Sequence, residues 1–449
     1  MTHEQAQSTL ETCLPAWGTS DDATKAALLA QMAPLDFDDF ERMRKLLTDK
    51  TPPAPPSEPT APDVIEHLSA DARADALEAG EAALRAGQVA VLLVAGGQGS
   101  RLGYEGPKGA FPIGPLTRRP IFYFHARKIV GLAARYGKPV PFYIMTSATN
   151  DAQTKAHFEE HKYFGLDKGD VIFFRQGEWP ALDTKGNLIL DAPGHIFMNP
   201  DGHGGTIAAL EKNGCLDDMA RRGVTSVFYF QVDNPLVEIA DPVFIGLHAL
   251  KGADVSLKVC AKRDAEEGLG VVALRGGRSA IIEYTELTEE QAQRRTADGE
   301  LYFKYGSVAI HIFALDFLKA QAGWRDMPLH LARKKIKMLN ASGSLVESSG
   351  IKFEKFIFDV LPNAQAVVNL AFDRADEFSP VKNKDTDGND TPATCKRDMQ
   401  AKWRRWLAQN GVQLQDSLPV EIDPAYTLSP GDLRHGLRLS SCGCETIGL

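Results

Sequence analysis

The segment VLLVAGGQGSRLGYEGPKG, residues 91 to 109, constrains this chain more than any other. Val91 to Val94 form a continuous apolar run, the mark of a strand buried on both faces. Gly96, Gly97, Gly99 and Gly103 follow at once. Glycines at a strand end let the backbone turn sharply and bring N–H groups up to an anion with no Cβ in the way. Arg101 and Lys108 place positive charge on either side of that turn, which suits it to a polyphosphate. Three familiar phosphate loops fail on spacing. Gly97, Gly99 and Gly103 read G-x-G-x-x-x-G, one residue longer than the dinucleotide fingerprint. Lys108 precedes Gly109 and Ala110, not the Ser or Thr of a Walker loop. The catalytic-loop and metal-binding signatures of kinases are absent.

Composition narrows the class. With 449 residues, 43% of them hydrophobic, the chain can bury a large core, and its length suggests two or three domains. A net charge of −9 argues against general binding to nucleic acid or anionic membrane, so phosphate falls to a few placed cations. The segment MTHEQAQSTLETCL lacks the layout of a signal peptide, and no apolar run reaches the length of a membrane span. The six cysteines are scattered, so reduced thiols in a cytoplasmic protein are the expectation. Cys442 and Cys444 have no second ligand pair nearby, and the reading is an inert tail rather than a zinc site.

Residues 1 to 50 read as helical, with Ser20-Asp21-Asp22 capping ATKAALLAQM. TPPAPPSEPTAP, 51 to 62, is a proline-rich joint. A helix from Asp71 to Ala86 leads into the glycine-loop strand. Strands then follow at 140–146, 171–174, 226–232, 254–259 and 307–313. They alternate with helices over Pro120–Tyr136, Asp151–His161, Gly205–Arg222 and Pro242–Leu250. That alternation implies a mostly parallel sheet covered on both faces, with ligands beyond the carboxyl ends of its strands. After residue 380 come polar turns, a helix around Arg397–Gln409 and short strand-like pieces. The expected domains are a helical segment with its linker at 1–62, a catalytic domain at 63–379 and a small C-terminal domain at 380–449.

The pattern GGxGxRLG-x-x-x-PKG resembles that of the sugar nucleotidyltransferases, specifically the UDP-sugar pyrophosphorylases and most closely their UDP-N-acetylglucosamine branch. The likeness runs from the first loop to about residue 430. It implies an α/β fold with a mixed, mostly parallel, Rossmann-like sheet of the GT-A-like type. Gly96 and Gly97 would approach the nucleotide, while Arg101 and Lys108 would hold the triphosphate and departing pyrophosphate. RQGEWPALD resembles a segment whose glutamine reads uracil; Gln176 offers an amide donor and an acceptor for that. FMNPDGHGGT resembles a turn lining uridine and sugar, which assigns Met198, Gly202 and His203. His203 stands where this branch has asparagine, and is closer to the PxGHGD turn of the glucose and broad-specificity enzymes.

VDN ends a strongly apolar strand, and a carboxylate there is placed to hold Mg²⁺ against phosphate oxygens. Asp233 matches the family's metal aspartate. Gly270 in GLGVVAL and Glu283 in IIEYTEL resemble segments that shape the sugar pocket, and a glutamate on sugar hydroxyls is a plausible specificity device. Ser307 in YFKYGSVAIH replaces a sugar-contacting asparagine. IKFEKFIFDV matches the family's KxEKFxFD signature, with Lys355 on phosphate. EFSPVKN resembles EFSPLKN, a specific mark of the acetylglucosamine branch, and puts Lys382 within reach of the active site. The run Arg333-Lys334-Lys335-Ile336-Lys337 reads as a solvated face.

The expected activity is a Mg²⁺-dependent uridylyltransferase acting on UTP and a sugar 1-phosphate, with no nucleic-acid or membrane partner. EFSPVKN and PDG favour N-acetylglucosamine 1-phosphate; His203 and Ser307 favour a plain hexose 1-phosphate or relaxed choice. A silent nucleotide-sugar binder is the rival class, against which the joint presence of Arg101, Lys108, Asp233 and Lys355 speaks. The missing D-x-D pair counts against a glycosyltransferase.

Overall fold

The computed structural model describes residues 1–48, 57–340 and 342–435. Residues 51–56 of the proline-rich joint and the Cys442–Cys444 tail lie outside them. The chain packs as two compact units. The first gathers Met1–Ser57, Gln176–Ala209 and Gly323–Val360; the second gathers Glu58–Arg175, Leu210–Ala322 and Leu361–Leu449.

The second unit is built on a nine-stranded sheet. Its strands are β1 (Val89–Val94), β2 (Phe142–Thr146), β3 (Val171–Arg175), β4 (Ser226–Gln231), β5 (Val255–Ala261), β6 (Val271–Arg275), β7 (Arg278–Ile282), β8 (Tyr305–Ala314) and β9 (Val367–Ala371). The central block β4-β1-β2-β3 is parallel throughout. Its strands carry unbroken apolar runs because helices such as Ile121–Tyr136 cover them. Phe122, Phe124, Ile129, Phe228 and Phe244 belong to the resulting core. On the flank, β8 runs antiparallel to β4 and pairs with β5 and β6, and β9 lies parallel to β5. The mixed, largely parallel α/β reading therefore holds. His311 pairs with Tyr229, so the earlier residues of β8 continue past the carboxyl end of β4, the edge where the glycine loop leaves β1.

In the first unit the helices His3–Cys13, Asp22–Met32 and Phe37–Thr48 bury Leu10, Leu28 and Phe40 with Trp179, Ile196, Ile351 and Phe353. Asp21 caps the second helix, accepting from the Thr24 N–H at 2.7 Å. The basic run lies on strand His330–Leu339, paired with Leu345–Glu354; Ile336 is buried and its cationic neighbours are exposed.

Three elements differ from the sequence reading: two helices have other bounds, and in place of the expected short strand-like pieces no strand forms among the described residues after Gln409. The helix expected over Gly205–Arg222 is two, Thr206–Lys212 and Cys215–Arg221, parted where Gly214 turns left-handed at φ 70°. The helix expected around Arg397 begins earlier, at Pro392. Thr391 caps it by accepting the Thr394 N–H at 3.2 Å, and proline suits a first turn. Cys13, Cys215, Cys260 and Cys395 are buried free thiols whose pKa values burial raises. No helix among the described residues is long and apolar enough to cross a membrane.

Candidate active site

The sequence-read residues divide between the two units. Gly96, Gly97, Arg101, Lys108, Asp233, Gly270, Glu283, Ser307 and Lys382 lie in the second; Gln176, Met198, Gly202, His203 and Lys355 lie in the first.

In the second unit the glycine loop is a knot of backbone hydrogen bonds. Gly99 N–H donates to Gly106 at 2.9 Å, and Lys108 N–H to Gly97 at 3.1 Å. Gly103 (φ 71°) and Gly106 (φ 132°) supply the left-handed turns this requires. Two residues beyond β2 that the motif does not contain fix the loop from below. Ser147 Oγ donates to the Gly96 carbonyl at 2.8 Å, and Asn150 Nδ2 to those of Ala95 and Gly97 at 2.8 and 3.3 Å. Their sequence signal is the Ser-Ala-Thr-Asn run directly after an apolar strand. Gly109 is needed for packing: a Cβ there would fall 2.2 Å from the Phe122 ring. Neither the Arg101 guanidinium nor the Lys108 ammonium has a hydrogen bond or ion pair among the described residues, so both cations stay available to an anion.

Asp233 lies beyond the end of β4, next to that loop in the sheet, because Val232 N–H donates to Val94 at 3.1 Å. The EFSPVKN segment is stapled onto it. Val381 N–H donates to the Asp233 carbonyl at 2.8 Å. Asn234 donates to Glu377 O at 2.7 Å and accepts from Ser379 N–H at 3.1 Å. Lys382 is thus set directly after a residue bonded to Asp233. The buried Asp233 carboxylate has no hydrogen bond or ion pair among the described residues. It belongs to neither cluster of three ligating side chains found there. A bare carboxylate at a strand end fits Mg²⁺, which takes one or two carboxylates and fills its other positions with water and substrate phosphate.

Gly270 immediately precedes β6, Glu283 immediately follows β7, and Ser307 lies on β8. Ser307 N–H donates to Gly270 O at 2.8 Å. A Cβ on Gly270 would lie 3.1 Å from Glu283 Oε1, so glycine leaves the space this carboxylate uses.

In the first unit the PDGHGG turn packs on Lys355 and Phe356. Lys355 N–H donates to Asp201 O, and Gly204 N–H to Lys355 O, both at 2.8 Å. A Cβ on Gly204 would fall 2.5 Å from the Lys355 carbonyl carbon. His203 stacks on Phe356 (5.3 Å, 16°), and its Nδ1 accepts from Ile357 N–H at 3.2 Å, which places its proton on Nε2. Burial holds it neutral, with a pKa near 4. Lys355 is nearly buried; its Nζ lies 3.4 Å from Asp39 Oδ2 and 4.8 Å from the Trp179 ring centroid. Asp39 lies on an N-terminal helix, and no motif pointed to it. Burial pushes Asp201 up to about 7. The Gln176 side chain has no hydrogen bond among the described residues, and Met198 pairs across a short ladder with Pro180.

The family model described as UTP–glucose-1-phosphate uridylyltransferase matches residues 47–387. A Xenopus tropicalis protein named UDP-N-acetylhexosamine pyrophosphorylase-like protein 1 is 40% identical over 76% of this chain and 69% of its own. The UDP-N-acetylglucosamine pyrophosphorylase of Saccharomyces cerevisiae is 38% identical over 76% of this chain and 74% of its own. The crystal structure of the Trypanosoma brucei uridine diphosphate N-acetylglucosamine pyrophosphorylase in complex with an inhibitor superposes with a TM-score of 0.83 at 30% identity, covering 96% of this chain and 93% of that one.

Proposed function

This chain belongs to the UTP–glucose-1-phosphate uridylyltransferase family, and from that premise we propose that it joins UTP to N-acetylglucosamine 1-phosphate, releasing pyrophosphate. The sugar phosphate oxygen attacks the α-phosphorus of UTP in line. The new P–O bond forms as the bond to the bridging oxygen breaks, and pyrophosphate leaves with that electron pair. Positioning and charge stabilisation then do the catalysis.

The observation that carries the reading is the clamp of EFSPVKN onto Asp233 and Asn234, which sets Lys382 directly after the residue bonded to the Asp233 carbonyl. Asp233 would hold Mg²⁺, and the cation when bound offsets phosphate charge. Arg101 and Lys108, both unpaired among the described residues, would draw the triphosphate and steady the leaving pyrophosphate. Gln176, whose amide is unbonded among the described residues, would read uracil, and Met198 and Gly202 would border the uridine. Lys355 would hold a phosphate oxygen in exchange for Asp39. Gly270, Glu283 and Ser307 would line the sugar.

His203 does not by itself argue for another sugar. Half of its hydrogen-bonding capacity is spent on Ile357, and its ring is fixed on Phe356. A plain hexose 1-phosphate remains the second reading because Ser307 replaces the asparagine. Pyrophosphate release with UTP, Mg²⁺ and a panel of N-acetylglucosamine, N-acetylgalactosamine, glucose and galactose 1-phosphates decides between them. Fastest release with N-acetylglucosamine 1-phosphate is expected; preference for glucose 1-phosphate would move the assignment to the second reading.

A further inference from the structure

We propose that His157, Glu160 and His161 form a binding site for a divalent transition-metal cation, with Zn²⁺ the best match. The site is on the second unit, at the end of the helix Asp151–Glu160, and takes no part in the reaction derived above. A ring nitrogen of each histidine and a carboxylate oxygen of Glu160 all lie within 4.8 Å of one another. The spacing i, i+3, i+4 puts all three on one helix face. Two imidazoles and one carboxylate are a donor set that selects first-row transition metals over Mg²⁺ or Ca²⁺, leaving open positions for water.

The ligands are prepared for this use. His161 Nδ1 donates to the His157 carbonyl at 2.8 Å, which leaves the Nε2 lone pair as its free donor atom; a backbone carbonyl commonly orients a ligating histidine in this way. The His161 ring is stacked on Phe164 (5.1 Å, 27°), and the His157 ring is held by Phe122 and Phe164 at 6.1 and 5.8 Å. Neither ring nitrogen of His157 has a hydrogen-bond partner among the described residues, and Nε2 is buried. A buried imidazole nitrogen without a partner is uncommon and calls for one. The two adjacent glutamates contrast: Glu159 is bonded to Lys168 and to Tyr163, whereas Glu160 has no partner among the described residues. A cation at this helix's C-terminus also meets the negative end of its dipole.

The test is a titration of metal-free full-length protein with CoCl₂ in excess MgCl₂, read by visible absorption, with Zn²⁺ as competitor. Uptake is expected with ligand-field bands and without the near-ultraviolet charge transfer of thiolate ligation. His157→Ala, Glu160→Gln and His161→Ala should each weaken it by roughly tenfold or more. Glu160 and His161 are exposed, so their variants should keep the wild-type melting temperature and remain interpretable. Unchanged affinity in those two variants, or thiolate charge transfer marking the cysteines as ligands, would overturn the proposal.

Discussion

At the scale of single residues, the glycine loop separates charge from packing. Lys108 has no side-chain partner among the described residues, so Lys108→Ala should change stability by no more than about 0.5 kcal/mol. Its turnover should fall roughly 10²–10³-fold, as for other placed charge stabilisers. Pyrophosphate release and thermal melting on the same sample check both halves; wild-type turnover would remove Lys108 from the mechanism. Its neighbour should behave oppositely. Gly109→Ala pushes a methyl into the Phe122 ring, which is fully buried, and overpacking of this kind costs about 1–3 kcal/mol. Adding Phe122→Leu should recover part of that loss in denaturant unfolding, and no recovery would mean that the strain lies elsewhere. The motif was legible because its glycines and cations sit in one stretch of sequence. Ser147, Asn150 and Asp39 were not, because their roles depend on partners brought from distant segments.

At the scale of elements, the periodic runs gave correct helices and strands, and the misses have local causes. A single left-handed glycine divides Thr206–Lys212 from Cys215–Arg221, and hydropathy does not register it. The clamp between β4's end and EFSPVKN was also invisible, since it is made largely by backbone groups. Behind it lies Lys258 on β5, fully buried, bonded to Asp241 at 2.9 Å and to Glu377. Glu377 also accepts from Glu238 N–H at 3.3 Å, so the lysine ties EFSPVKN to the loop after Asp233. In sequence, Lys258 is one charged residue within the strand expected at 254–259, with nothing beside it to announce its partners. Lys258→Met should cost about 3–5 kcal/mol, because it leaves buried carboxylates unpaired. Lys258→Met with Glu377→Gln should cost less than the single change in urea unfolding. Additive losses would show that the two side chains do not act as a pair.

At the scale of the whole molecule, the α/β class was legible from the alternation of strands and helices, but the two units were not. The first unit is assembled from three stretches separated by more than a hundred residues; the proline-rich joint marks its border at Ser57, but no composition shift marks the borders at Gln176, Ala209, Gly323 and Val360. A property that neither motif nor element reveals is the response to acid. Burial holds His125 near pKa 3 and His157, His203 and His248 near 4. His125 shows why: it is fully buried, Nε2 donates to Val232 O at 3.0 Å, and Nδ1 has no partner among the described residues, so a second proton would be stranded near Lys128. An unfolded histidine takes up its proton near pH 6.5, whereas these four refuse it until the pH is far lower. Between about pH 6.5 and 4 the unfolded chain therefore binds more protons, and stability falls as pH falls. Asp201 and Glu377, both raised by burial, act in the opposite sense, since the folded chain binds their protons first. Four groups against two leave a net loss on acidification. Unfolding free energies measured in urea at intervals from pH 7 to 5 should decline, each histidine contributing up to about 1.4 kcal/mol per pH unit. His125→Gln should flatten that slope whatever it does to absolute stability; an unchanged slope would mean that His125 does not carry the linkage.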